Sequence, residues 1–182
     1  MSDDFRVIST DVLLNSYVFN VERRVVQNGH STFERDVATH RGAVAILVIN
    51  EDGEIGLLRQ YRATFDRFSW EIPAGSCDVE GEAALDVAKR ELEEEVGCVA
   101  QRWTLLGRFA VSPGWTNQVM TVFEARDLTF TQRTPIGPEE QASSVRWLNK
   151  EQIKELIFSK EIVDSTLTMA MNRVFGTLFD KH

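Results

Sequence analysis

Glu91, Glu94 and Glu95 fall in the run R-E-L-E-E-E-V-G at residues 90–97. If residues 83–96 are helical, with side chains advancing about 100° per residue, Glu94, Glu91 and Glu95 lie at about −60°, 0° and +40° on one narrow arc. Like charges three and four residues apart destabilise a helix by roughly 0.2–0.5 kcal/mol per pair, so this ridge requires a compensating cation. Hard divalent ions with a preference for oxygen, Mg²⁺ or Mn²⁺, match such donors.

The opposite side of the same helix carries Ala84, Leu85, Ala88 and Leu92. They form an apolar stripe suited to packing on a sheet, and Gly97 follows as a candidate C-cap. A solvated acidic helix face is the ordinary alternative when charge alone is considered. It accounts neither for Arg90 beside the ridge nor for the glycine-containing loop upstream.

The segment E-I-P-A-G-S-C-D-V-E-G-E-A-A-L-D-V-A-K-R-E-L-E-E-E-V-G-C, residues 71–98, resembles the Nudix box, G-x5-E-x7-R-E-U-x-E-E-x-G-U, with U a bulky apolar residue. Glu82, Arg90, Glu91, Leu92, Glu94, Glu95 and Gly97 match in type and spacing. Two positions depart from the pattern. Gly75 lies one residue too far upstream, leaving Ser76 where the glycine belongs, and the final apolar position is Cys98. The extra residue falls in a loop, where it alters a turn without moving the ridge. Cys98 serves as a small hydrophobe.

A chain of 182 residues with 43% hydrophobic content suits one domain with a small appended subdomain. It has no run of roughly 18 apolar residues, and M-S-D-D-F-R lacks the basic and apolar regions of a signal peptide, so a cytoplasmic protein with no membrane partner is expected. Cys77 and Cys98, the two cysteines, form no zinc spacing, and a disulfide between them is not expected in a reducing compartment. The net charge of −8 disfavours nucleic acid as a partner. An acidic protein that handles an anionic substrate must meet its charge locally, with ions on the ridge and a few placed arginines.

The elements that position the ridge follow from periodicity and turn chemistry. Val12–Val21 reads as a strand, and Asn28-Gly29 as a hairpin turn between strands at 21–27 and 31–37. A second hairpin joins strands at 43–49 and 54–61 through Asp52-Gly53. Further strands are expected at 105–111, 119–125 and 144–148, with a loop at 131–142. Helices are expected at 150–158 and 165–179, the latter N-capped by Asp164 and presenting Leu167, Ala170, Met171, Val174, Phe175 and Leu178 on one face. Strands and helices mix without strict alternation, which gives an α+β fold or an α/β/α sandwich; the Nudix resemblance implies the sandwich. Residues 1–38 are expected to form an N-terminal antiparallel strand subdomain and residues 39–182 the Nudix domain.

Ser112-Pro113-Gly114 downstream of the box resembles the S-P-G of the ADP-ribose pyrophosphatase branch, as do R-Q-Y-R at 59–62, W-E-I-P-A-G at 70–75 and I-V-D-S-T at 162–166. The resemblance implies metal-dependent hydrolysis of a nucleoside diphosphate linked to another moiety, here ADP-ribose to AMP and ribose 5-phosphate. It implies Glu91 and Glu95 as principal metal ligands, Glu94 and the Ala74 carbonyl as supporting ones, and Arg90 and Glu95 in catalysis. Glu82, about 180° round the helix from Glu91, is expected to support the ligands without touching the ion. Arg62, Arg59, Glu71, Pro113, Gly114 and Trp115 are the implied substrate contacts; the planar fork of Arg62 suits two oxygens, and Trp115 can stack or wall the substrate.

A general base is implied on the loop before the last strand, where Glu139 and Glu140 are both candidates and Gln141 occupies one aligned position. Asn117-Gln118 departs from the branch, whose members often carry an acid there. By analogy with the family, Tyr17, Phe19 and Phe33 would stack on adenine across a homodimer. His40 and His182 read as surface groups. The alternatives are a Nudix diphosphatase for another nucleotide sugar, dinucleotide or cofactor, and a non-catalytic Nudix-fold nucleotide sensor, which a broken glutamate ridge would mark.

Overall fold

A computed structural model describes residues 4–176. The chain has eleven strands and four helices among these residues: β1 (Phe5–Asn15), β2 (Asn20–Asn28), β3 (Ser31–Thr39), β4 (Ala43–Val48), β5 (Ile55–Arg62), β6 (Arg67–Glu71), β7 (Ala74–Ser76), α1 (Ala84–Val96), β8 (Cys98–Ala110), β9 (Val119–Phe130), α2 (Pro138–Gln141), β10 (Ser144–Leu148), α3 (Lys150–Ile157), β11 (Ile162–Val163) and α4 (Ser165–Phe175). Contacts group them into two compact units, residues 1–42 with 109–120, and residues 43–108 with 121–182. The second segment of the smaller unit has no signal in the sequence.

In the smaller unit β1, β2 and β3 form an antiparallel meander. Gly29 takes φ 59° at the expected β2–β3 turn, a conformation that favours glycine. The single strand expected over residues 12–21 is instead broken: Ser16 N–H donates to the Phe19 carbonyl at 3.1 Å while Phe19 N–H donates to Ser16 Oγ at 3.2 Å. A serine that satisfies the backbone locally competes with the ladder, and the apolar run becomes a β1–β2 hairpin. His40, expected as a surface group, is partly buried and its Nδ1 accepts from Gly42 N–H at 3.0 Å; burial lowers its pKa.

The larger unit holds two four-stranded sheets, ordered β7-β4-β9-β8 and β10-β5-β6-β11. The hairpin expected between β4 and β5 does not form; the strands meet only at the bridge Ile49–Ile55 and enter different sheets. The Asn50–Glu54 turn forms, with Gly53 at φ 78°, but it serves as a corner. Both strands are largely buried, so each needs cover on two faces, which a shared two-stranded ribbon cannot supply. β6, β7, β11 and α2 arise where the sequence suggests only loop.

α1 packs on β4 and β7, and α4 also packs on β4, placing this strand between helices in the α/β/α arrangement. Val44, Ile46 and Val48 join Val87, Ala88, Leu92 and Val96 of α1 in one buried cluster with Cys98. A fully buried Leu92 contributes roughly 1.5–3 kcal/mol relative to exposure. Burial pushes the Cys98 thiol up to about 12, as suits a packing group, and neither Cys77 nor Cys98 is in a disulfide. Asp164 occupies the N-cap position of α4 without a side-chain cap bond to the backbone; it accepts instead from Thr166 Oγ1 at 3.3 Å. Leu178, Phe179 and His182 lie outside the described residues. No helix among the described residues is long and apolar enough to cross a membrane.

Candidate active site

Packing of Ala88 and Leu92 against β4 fixes the rotation of α1 and turns Glu91 and Glu95 toward β7. Both residues are then buried, at 9% and 3% exposure. Ala74 N–H donates to Glu95 Oε2 at 2.9 Å. The neighbouring Gly75 passes so close to Glu91 that a Cβ there would stand 2.1 Å from Glu91 Cδ. Gly75 therefore does the work of the box glycine despite its shifted position. The extra residue is absorbed before α1, where Gly81 turns at φ 81°.

Burial raises the Glu91 pKa to about 7; Arg90 opposes this, while Glu94 and Glu140 add to it. Burial raises Glu95 to about 8, opposed by the Ala74 amide and augmented by Glu91 and Glu140. Removing a carboxylate from water disfavours its charge, and neighbouring carboxylates reinforce the effect. Arg90 supplies the internal countercharge, with Nη1 at 2.8 Å from Glu91 and 3.3 Å from Glu94, and Nη2 at 3.7 Å from Glu82 and 3.9 Å from Asp78.

Glu82 precedes α1, so its expected position on the far side of the helix is corrected: it reaches Arg90 from the loop. Its Oε2 is buried without a hydrogen-bond partner. Among the described residues no three Asp, Glu, His or Cys side chains converge to coordination geometry. The donor chemistry nonetheless fits a hard divalent ion. Glu91, Glu94 and Glu95 are oxygen donors with a single arginine between them, and the absent Cβ at Gly75 leaves room for the Glu91 carboxylate, which Arg90 holds.

A second group lies on β5 and β6. Arg62 clasps Glu71 through Nε at 2.8 Å and Nη2 at 2.6 Å, and Ser69 Oγ donates to the same carboxylate. Arg62 Nη1 faces Glu139 at 3.9 Å. The Glu71 hydrogen bond is the largest cause of a raised Arg62 pKa, and Glu95 and Glu139 also act on it. Arg62 and Glu71 border a cavity of about 370 Å³ with Ser69, Asp164 and Ser165. Arg59, three residues before Arg62, projects from the opposite face of β5 and stacks over Phe68 at 4.7 Å, so the structure does not gather it with Arg62.

Glu140 accepts from Ile136 N–H at 2.7 Å and acts electrostatically on both buried ridge glutamates. Pro113, Gly114 and Trp115 belong to the smaller unit, where Trp115 N–H donates to the Ser112 carbonyl at 3.2 Å and the residue is 59% exposed. Asn117, at the departure from the branch pattern, uses Oδ1 to accept from His40 N–H at 2.8 Å. Sequence reasoning missed Arg133 and Ser143, which carry no motif spacing, and missed the Arg62–Glu71 clasp, which only the unforeseen β6 brings together.

This layout of helix, loop glycine and buried glutamates coincides with a family match. A model of the NUDIX domain matches residues 39–167, and the chain belongs to the Nudix family. Members generally use divalent metal ions. The chain is 35% identical over 163 residues to an ADP-ribose pyrophosphatase of Mycobacterium tuberculosis, covering 89% of this chain and 79% of that relative. It is 32% identical to an ADP-ribose pyrophosphatase of Bacillus subtilis, covering 87% and 83%. A solved ADP compounds hydrolase shares the fold, with a TM-score of 0.79 at 24% identity over 93% of this chain and 91% of that one.

Proposed function

We propose that this chain hydrolyses ADP-ribose to AMP and ribose 5-phosphate with Mg²⁺ or Mn²⁺. The observation that carries the hydrolytic reading is the unbroken ridge, with Glu91 and Glu95 buried against Gly75 and Ala74. The choice of ADP-ribose draws on the two relatives of that name, each matched over most of its length.

Glu91, Glu94, Glu95 and the Ala74 carbonyl would hold the cation. When bound, it neutralises phosphate oxygens and makes water more acidic. Arg90 keeps the glutamates oriented and Glu82 supports Arg90. Arg62, held flat by Glu71, offers its Nη1 edge to the substrate's diphosphate. Water adds to one phosphorus, the bridging P–O bond breaks, and a loop glutamate takes the water's proton.

The purified protein is expected to hydrolyse ADP-ribose only with added Mg²⁺ or Mn²⁺, and ahead of ADP-mannose, diadenosine polyphosphates and NADH, in a screen of released products. Turnover surviving exhaustive chelation would refute metal dependence; a preference for another substrate would refute the ADP-ribose assignment.

Glu140 is the proposed base, since it acts on both Glu91 and Glu95, whereas Glu139 faces Arg62. Glu140→Gln is expected to cut kcat strongly with little change in KM, and Glu139→Gln to be nearly silent in kcat. The reverse pattern would transfer the role to Glu139.

Homodimerisation through residues 1–38 belongs to the same proposal. β1 is exposed along its whole length and is an edge strand, with Phe5, Val7, Ile8, Val12, Leu13 and Leu14 each about half exposed or more. Light scattering at micromolar concentration should give twice the chain mass. A fully active monomer would overturn this.

A further inference from the structure

We propose that Arg133 is a positioning residue that locks the C-terminus of α1 to the turn carrying Glu139 and Glu140, and so sets the ridge-to-base spacing; the proposal rests on the hydrolytic reading above. The residues after β9 fold onto the end of α1. Thr131 N–H donates to the Gly97 carbonyl at 2.7 Å, Thr134 N–H to the Glu94 carbonyl at 3.2 Å, and Arg133 Nε to the Glu95 carbonyl. These are carbonyls that a helix end leaves without internal partners. α1 has no basic residue in its own last turn, so Arg133 also supplies the cation favoured there. Gly97, at φ 75°, makes room: a Cβ there would lie 2.8 Å from Arg133 Cγ and 2.9 Å from Arg133 N.

A cap would need only that end of the guanidinium. The other end reaches Ser143, with Nη2 2.8 Å from Oγ and Nη1 3.4 Å from the carbonyl. Ser143 Oγ donates to the Glu140 carbonyl at 2.7 Å, and Ser143 N–H donates to the same oxygen at 3.0 Å. One planar fork thus joins the backbone of Glu95, a proposed metal ligand, to the backbone of Glu140, the proposed base. α2 itself is a single turn with no buried residue, held besides this bridge by its contact with β5, by Ile136 N–H donating to the Glu140 carboxylate and by Glu139 facing Arg62. Lysine offers a charge but no fork, so it can serve the helix end without making the bridge.

The test compares Arg133→Ala, Arg133→Lys, Ser143→Ala, Glu140→Gln and the Arg133→Ala/Glu140→Gln pair below their melting temperatures. The readouts are ADP-ribose kinetics with cation and amide hydrogen exchange over residues 136–142. We expect both Arg133 variants to lose at least ~10-fold in kcat with KM nearly unchanged, as misplacement of a reacting group by about 1 Å does. Ser143→Ala should fall in the same direction, and the pair should be no slower than Glu140→Gln alone. Exchange at 136–142 should speed up in Arg133→Lys while α1 stays protected. Wild-type kcat and exchange in Arg133→Lys would overturn the proposal, leaving only a charge at the helix end. A silent Glu140→Gln beside a slow Arg133→Lys would instead refute the base assignment while the bridge stands. Should the wild type hydrolyse nothing, the hydrolytic reading fails and exchange alone decides the bridge.

Discussion

Replacing Glu95 with glutamine is expected to lower kcat at least ~10²-fold while leaving the fold intact, the scale of loss seen when one preorganised electrostatic group is removed. The substitution conserves volume at a site only 3% exposed. The amide oxygen of glutamine can still accept from Ala74 N–H, so that link need not break. What disappears is the charge, which the folded chain tolerates poorly without a cation, as the rise of the Glu95 pKa to about 8 shows. Metal-free stability should therefore hold or rise, and activity should collapse. Kinetics at saturating cation beside thermal melts of the metal-free protein will separate the two; near-normal turnover would remove Glu95 from the ligand set.

Gly75→Ala should be comparably severe for a different reason. The new methyl would occupy space 2.1 Å from Glu91 Cδ and 2.2 Å from Oε1. The obstacle is the far end of a flexible side chain, so the cheap response is for the Glu91 carboxylate to swing away while the backbone stays in register with Val44. We expect a loss of at least ~10²-fold in kcat/KM, with reacting groups misplaced by about 1 Å or more. More cation should be needed for half-activity, and the melting temperature should change little. A variant that melts far lower, with cation dependence unchanged, would show that the backbone and not Glu91 gave way.

The ridge was legible because helical spacing projects Glu91, Glu94 and Glu95 onto one arc whatever the surrounding fold does. Leu92 and Ala88 fix the buried face by the same geometry. Glu82 misled because a wheel angle means nothing for a residue outside the helix, and its connection to Arg90 is made through space. Gly75 was out of step in the motif, yet the strand register with β4 puts it beside Glu91. The continuous apolar run at 43–49 and the Asp52-Gly53 turn identify β4 and β5 as strands but hold no information on which sheet each joins. The short strands β6, β7 and β11 are specified by their neighbours more than by their own composition. Arg133 was invisible for a similar reason, since its partners are two backbone segments and no spacing rule names them.

The corner at Asn50–Glu54 has a consequence for how the chain reaches this state. Had β4 and β5 formed a hairpin, the centre of the larger unit would assemble from neighbours in sequence. As it stands, β5 pairs residues 55–59 with residues 144–148, and β4 lies between β7 and β9. Such pairings require long loops to close before any contact compensates for the lost entropy, and they slow folding. The β1–β2–β3 meander and α1 rest on local contacts and can form early. The glutamate ridge can thus exist as a helix face well before Arg62, Glu71 and the loop glutamates are gathered around it, and competence to act arrives only once β10 takes its place beside β5.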